Sequence, residues 1–298
     1  VLVLLKIIAP LLLANSTKNN LQNLTQQLQI IFIGYIACSA CKPGPIERVS
    51  YITNYGHSIL NVVDLNTNMI TGSITGFNGP TAIAITSDVA TAYVTNYGDN
   101  TLNIVDLSTN MITGSITGFN TPAGITITSD RATAYVTNFG NNDVSIVDLA
   151  TNMITGTITG FNMPTGIAIT LGAATAYVTN FGNNDVSIVD LTTNMITGSI
   201  SGFNIPAGIA ITSNEATAYV TNAGNNDVSI VDLATNMITG SITGFNTPDG
   251  IAITSDAATA YVTNYGNTDV SIVDLTTNMI TGSISGFNIP TSIALKSI

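Results

Sequence analysis

The sequence has no tryptophan, one histidine and two cysteines in 298 residues. The histidine is His57, and Cys38 and Cys41 lie close together near the N-terminus. A metal centre or catalytic set built from histidine and cysteine is therefore nearly excluded. Such sites need three or four converging ligands, or a nucleophile held beside its base. Basic residues are scarce too: six Lys and Arg stand against 17 Asp and Glu, a formal net charge of −11. Nucleic-acid binding needs a basic footprint, so no nucleic-acid partner is expected. Charged residues make up 8% of the chain and hydrophobic ones 45%, which excludes a disordered polyelectrolyte. No Gly-x-Ser-x-Gly elbow, phosphate-binding loop or His-Glu-x-x-His occurs, and no cofactor is expected.

What the chain does have is a repeat. Tyr-Ile/Val-Thr-Asn begins at Tyr51, Tyr93, Tyr135, Tyr177, Tyr219 and Tyr261, each step being 42 residues. The same phase returns an aspartate from Asp64 to Asp274, a methionine from Met69 to Met279 and a proline from Pro80 to Pro290. The units starting at Tyr135 and Tyr177 match at 34 of 42 positions. Each unit reads as four short strands rich in Val, Ile, Thr and Tyr, exemplified by Ala134–Asn138, Asp143–Asp148, Met111–Ile116 and Gly166–Thr170. Turn residues separate them: Gly-Asn-Asn, Thr-Asn, Gly-Phe-Asn-x-Pro and Thr-Ser-Asp. Four short strands in about 40 residues is the length of one propeller blade. The expected fold is all-β, a six-bladed β-propeller of four-stranded blades over residues 51–298.

Tyr-Val-Thr-Asn, followed by Val-Ser-Ile-Val-Asp and preceded by Pro-x-Gly-Ile-Ala-Ile-Thr, resembles the YVTN β-propeller repeat family. The resemblance covers residues 51–298 and recurs six times in register. It implies a propeller, usually exported or on the cell surface, and no single activity. It also implies that the Pro-x-Gly-Ile-Ala strand lies innermost. The first unit then begins on a second strand and the chain ends just after an innermost one, Thr291–Leu295. The C-terminal strand is expected to join the N-terminal blade and close the ring, removing an exposed sheet edge.

Related propellers place two loop types on a ligand-binding rim: the loop between the second and third strands, and the loop leading into the innermost strand. In the first, the residue after Tyr-x-Thr-Asn varies as Tyr55, Tyr97, Phe139, Phe181, Ala223 and Tyr265. In the second, Asp249 is the one charge directly after the proline. These aromatics and Asp249 are the candidate ligand-binding residues, for a protein, peptide, glycan or apolar ligand. The same aromatics can instead be packing between blades, the reading that a symmetric repeat favours. The repeated aspartates read as turn caps, since equivalent positions in separate blades cannot gather round one ion. The repeated methionines read as packing between blades. His57, Arg131 and Glu215 read as surface residues.

Residues 1–50 share nothing with the repeat. Apolar runs at Val1–Ala14 and Ile30–Ala40 flank a polar stretch, Asn15–Gln29. Both runs are shorter than the ~20 residues a spanning helix needs, and each has the length of a signal-peptide core. Ala37-Cys38-Ser39 roughly fits a small-x-small cleavage site, and Ile36-Ala37-Cys38 resembles the end of a lipoprotein box, with Tyr35 unusual there. Residues 1–50 are therefore expected to be an export leader or a disordered segment, with Cys38 or Cys41 processed or lipidated. The Cys38-x-x-Cys41 spacing also suits a redox or zinc half-site, but no βαβ context or further ligand pair accompanies it. The expected function is a non-enzymatic, extracytoplasmic binding or adhesion scaffold. The alternative is a propeller enzyme or enzyme subunit, of lyase or oxidoreductase type, leaning on His57. Intact mass of protein from native cell fractions should show a mature chain starting at Cys38, Ser39, Ala40 or Cys41, with or without lipid. A cytoplasmic chain retaining residues 1–37 would refute export.

Overall fold

The computed structural model describes residues 49–296. Cys38 and Cys41, and the leader they end, lie outside the described residues. Val49–Lys296 form six four-stranded antiparallel sheets, as the repeat predicts. In the second blade the strands run outward as Pro80–Ile85, Thr91–Asn96, Thr101–Asp106 and Met111–Thr117, and later blades repeat that order. The first blade is composite. Pro290–Lys296 pairs antiparallel with Val49–Asn54, from Val49 opposite Lys296 to Thr53 opposite Ser292, and Ile59–Asp64 and Met69–Ile74 complete it. The expected closure by the C-terminal strand is therefore present. Val49 and Ser50, read above as leader, belong to that blade's second strand. Each innermost strand packs against the innermost strands of both neighbouring blades.

The burial pattern follows from this stacking. Second strands are sandwiched between blades and are buried at almost every position, whereas outermost strands alternate exposed and covered residues. The core is divided into six layers, one per blade junction. In the first, Tyr51, Leu60, Ile74 and Phe77 of one blade meet Ile83, Val94 and Val105 of the next. The Phe of every Gly-Phe-Asn and the Tyr of every Tyr-x-Thr-Asn are buried in these layers. Each such side chain stabilises the junction by roughly 1.5–3 kcal/mol.

The Thr of Tyr-x-Thr-Asn supplies the polar link between blades. The innermost strand slips register against its neighbour, as between Pro164 and Ile167, leaving the Gly166 N–H out of the ladder. The Thr179 hydroxyl accepts that N–H at 2.6 Å and donates to the Ala207 carbonyl of the next blade at 2.5 Å. The same pair of bonds is made by Thr53, Thr95, Thr137, Thr221 and Thr263, so the links run once around the ring. Thr263 reaches Thr291 of the C-terminal strand at 3.0 Å and Thr53 reaches Thr81 at 3.2 Å, carrying the circuit across the seam. The strands approach so closely that a Cβ on Gly166 would stand 2.4 Å from the Ala207 carbonyl oxygen. Glycine there is a requirement of backbone contact.

One expectation needs correction and another needs adding to. The six methionines do not pack between blades: they begin the outermost strands and are 63–64% exposed, because no further strand covers that edge. Arg131 and Glu215 do lie at the surface, and there each also reaches a neighbouring blade. Arg131 pairs with Asp88 of the preceding blade, and Glu215 accepts the Leu171 N–H of its preceding blade. The repeated aspartates do close turns: the Thr151 and Ala150 N–H groups bond Asp148 and hold its carboxyl below the usual range.

Replacing Thr179 by Val keeps the shape and leaves the Gly166 N–H without its partner, while the Ala207 carbonyl keeps only the longer bond from Thr165. It should cost about 1–3 kcal/mol in denaturant unfolding, the range for one unsatisfied group. Thr197→Val on the exposed outer strand should stay within about 0.5 kcal/mol. Equal losses at both positions would refute the linking role of Thr179.

Candidate functional site

The Asn that ends Tyr-x-Thr-Asn builds the mouth of the propeller. Asn180 is almost fully buried. Its Oδ1 accepts the Asn162 N–H at 3.2 Å, and its Nδ2 donates to Asp185 at 2.7 Å and Ser187 at 2.8 Å. One side chain thus joins the loop entering the innermost strand to the loop between the second and third strands. A second tie is made by the variable residue that follows. The Phe181 N–H donates to the Met163 carbonyl at 3.1 Å, and Tyr55, Tyr97, Phe139, Ala223 and Tyr265 make the matching bond in their blades.

The residues these bonds engage are strained. Thr121, Met163, Ile205, Thr247 and Ile289 all have positive φ, from 45° to 57°. Left-handed backbone is costly for such side chains, above all for β-branched ones. Part of the restraint comes from the preceding blade: Asn142 Oδ1 accepts the Met163 N–H at 2.7 Å, and Asn184 does the same for Ile205. Strain of this kind persists only where surrounding bonds over-determine it, and here it encircles the axis.

The structure brings all the candidate ligand-binding residues to one cavity. Tyr55, Tyr97, Phe139, Phe181 and Tyr265, with Ala223 as the gap, form a collar around an axial cavity of about 490 Å³. Asp249 lies on its wall. The packing reading of the aromatics describes part of this. Tyr55 meets Tyr97 edge-on at 6.5 Å between centroids, and Phe139 meets Phe181 at 5.9 Å. The layers between blades are nonetheless filled by other aromatics, and Tyr97, Phe181 and Tyr265 remain 36%, 37% and 44% exposed. His57 is exposed and does not line the cavity. Among the described residues, no three His, Cys, Asp or Glu side chains cluster in a way that could hold a metal.

Below the collar, the position after each proline carries Thr81, Ala123, Thr165, Ala207, Asp249 and Thr291 in turn. The three threonines donate to the proline carbonyl of the next blade, at 2.9 Å for Thr81, 3.1 Å for Thr165 and 3.1 Å for Thr291. An ionised Asp249 has no proton to give. It is partly open to the cavity and otherwise enclosed, and burial alone pushes its carboxyl from 3.8 up to about 7. Beside it, burial raises the Tyr265 phenol, with smaller contributions from Tyr55 and Asp249. The sequence marked Asp249 as a lone acid; its enclosure came only with the ring.

No family model matches the chain, and no curated protein matches it. Solved structures do share its architecture. A functionally unknown protein from Desulfotomaculum acetoxidans DSM 771 is 14% identical with a TM-score of 0.66, over 83% of this chain and 98% of that one. Hydrazine synthase from Kuenenia stuttgartiensis is 21% identical with a TM-score of 0.63, over 78% of this chain and 77% of that one. At these identities the likeness shows the propeller fold alone.

A carboxyl whose folded value lies above its unfolded one favours the native state only while protonated. Stability attached to Asp249 is therefore complete below about pH 4 and falls away as pH rises through about 7. The loss by pH 8 is roughly 2–4 kcal/mol, allowing for the side chain's opening to the cavity. Asp249→Thr removes the charge and supplies the hydroxyl that three other blades carry. It should raise the melting temperature at pH 8 by several degrees, with a clearly smaller gain at pH 4. A pH-independent gain would refute the burial of this carboxyl.

Proposed function

We propose that the protein is a binding propeller of the YVTN kind, working outside the cytoplasm as a non-enzymatic scaffold whose ligand sits at the mouth of the axial cavity. One observation carries the reading. Two positions that vary among near-identical blades, the collar residue and the residue after the proline, are held by a rigid frame around a single cavity, and five of the six collar positions are aromatic. Convergence of variable side chains on a fixed frame is the arrangement by which scaffolds acquire a ligand. The largely apolar lining suits the ring or aliphatic portion of a peptide or glycan.

The extracytoplasmic placement rests on composition and on the leader. The repeats are rich in Thr, Asn and Ser and hold two bases, Arg131 and Lys296, against 16 acids. Such a surface repels nucleic acid and anionic membranes. Attachment to a membrane would then run through the N-terminal segment or a lipid on Cys38 or Cys41. No observation favours the enzyme reading, since His57, its one asymmetric group, stands off the cavity.

The test is a ligand-observed NMR titration with indole as a neutral aromatic probe, alongside a peptide and glycan array. Tyr97→Ala combined with Tyr265→Ala should weaken indole at least about fivefold and erase any array signal, with the fold intact by circular dichroism. Met153→Ala on the perimeter should leave both unchanged. An array profile and indole affinity unaffected by the collar variants would overturn the proposal.

A further inference from the structure

We propose that the axial cavity is a site for an organic cation, an ammonium or protonated amine with a small apolar body, whose charge rests on Asp249 and whose body rests against the aromatic collar. This rests on the reading of the cavity as the ligand site and adds the chemistry of the ligand. Asp249 is the one carboxyl among the lining residues, which include no basic side chain and are otherwise aromatic, aliphatic, Thr, Ser, Pro and Gly. No hydrogen bond or positive charge offsets the burial of its carboxyl.

The described residues place no cation beside Asp249. Among the described residues the bases besides His57 are Arg131 and Lys296. Arg131 is paired with Asp88 in the loops at the other end of the blades. Lys296 lies at the end of its strand remote from the mouth, opposite Val49. A buried carboxyl is either protonated or paired, so above its raised titration point Asp249 is stabilised by a cation that a ligand brings.

An inorganic ion fits the site poorly. Calcium takes six to eight oxygen ligands, and one carboxylate stands here, with the nearby threonine hydroxyls already donating to neighbouring blades. An ammonium group on a carbon body fits better. Aromatic ring faces attract cations within about 6 Å, and more strongly when water is excluded. Tyr265 adjoins Asp249, and Ala223 leaves the collar open in the neighbouring blade, making room for the body of the ligand beside the charge. The volume lies within the ~300–1,000 Å³ of small-ligand pockets.

Isothermal titration of the protein at pH 8 with benzyltrimethylammonium, and with neutral benzyl alcohol for comparison, tests this. The cation should bind at least about tenfold more tightly than the alcohol. Asp249→Asn and Asp249→Thr should each weaken the cation at least about tenfold and leave the alcohol unchanged. Thr at this position is native to three other blades, so the second variant holds if the first fails to fold. Lowering the pH to 5.5 should weaken the cation in the wild type and not in the variants. Equal affinity for both probes, or cation binding indifferent to both variants, would overturn the cation assignment while leaving the cavity as a ligand site. Calcium chloride stabilising the wild type but not Asp249→Thr, with no benzyltrimethylammonium binding, would overturn it in favour of an inorganic ion. Binding of neither probe, with indole also silent, would overturn both readings.

Discussion

A threonine hydroxyl poised between two blades is the interaction on which the ring depends. The slip in each innermost strand frees one backbone N–H, and the hydroxyl of the adjacent second strand takes it while donating across the junction. Hydrophobic layers give the blades reason to stack, but apolar contact is non-directional and tolerates sliding. The hydroxyl link sets the height and angle at which each blade meets the next. Its repetition at all six junctions, including both junctions of the composite blade, makes closure the continuation of a local rule. Threonine suits the task because its stiff χ1 holds the hydroxyl in place.

The mouth depends on that frame. With blade height set, one buried asparagine per blade ties two loops together, and left-handed residues before the prolines lock into bonds from the collar. The backbone of the rim is thus specified without reference to the collar side chains. That independence lets Tyr, Phe or Ala occupy the collar, and Thr, Ala or Asp the wall beneath, without disturbing the fold. Asymmetry at the positions that face the cavity is thus free to matter chemically.

Blade number was legible as a periodic signal repeated six times, and resemblance to the YVTN repeat supplied the strand order, the closure and the collar positions. The linking role of threonine was not legible. A Thr in a β-rich motif looks like any strand residue, and nothing local reports that the facing N–H has lost its ladder partner. The methionines misled for a related reason: repetition announces a structural position, but not which side of the strand it faces, and the outermost strand has no neighbour to bury it. Asp249 was visible as an exception to the repeat. That a carboxyl after Pro248 is walled in by five other blades depends on closing the ring, which no window of sequence contains.

The pairing of Val49 with Lys296 has an orientational consequence. Innermost strands leave the collar end at their prolines, so Lys296 and the Val49 beside it both stand at the opposite end of the axis. The first and last described residues of the propeller therefore share that far face. Any tether, bead or layer grafted there presents the aromatic collar outward, unobstructed, like the bell of a horn held by its mouthpiece.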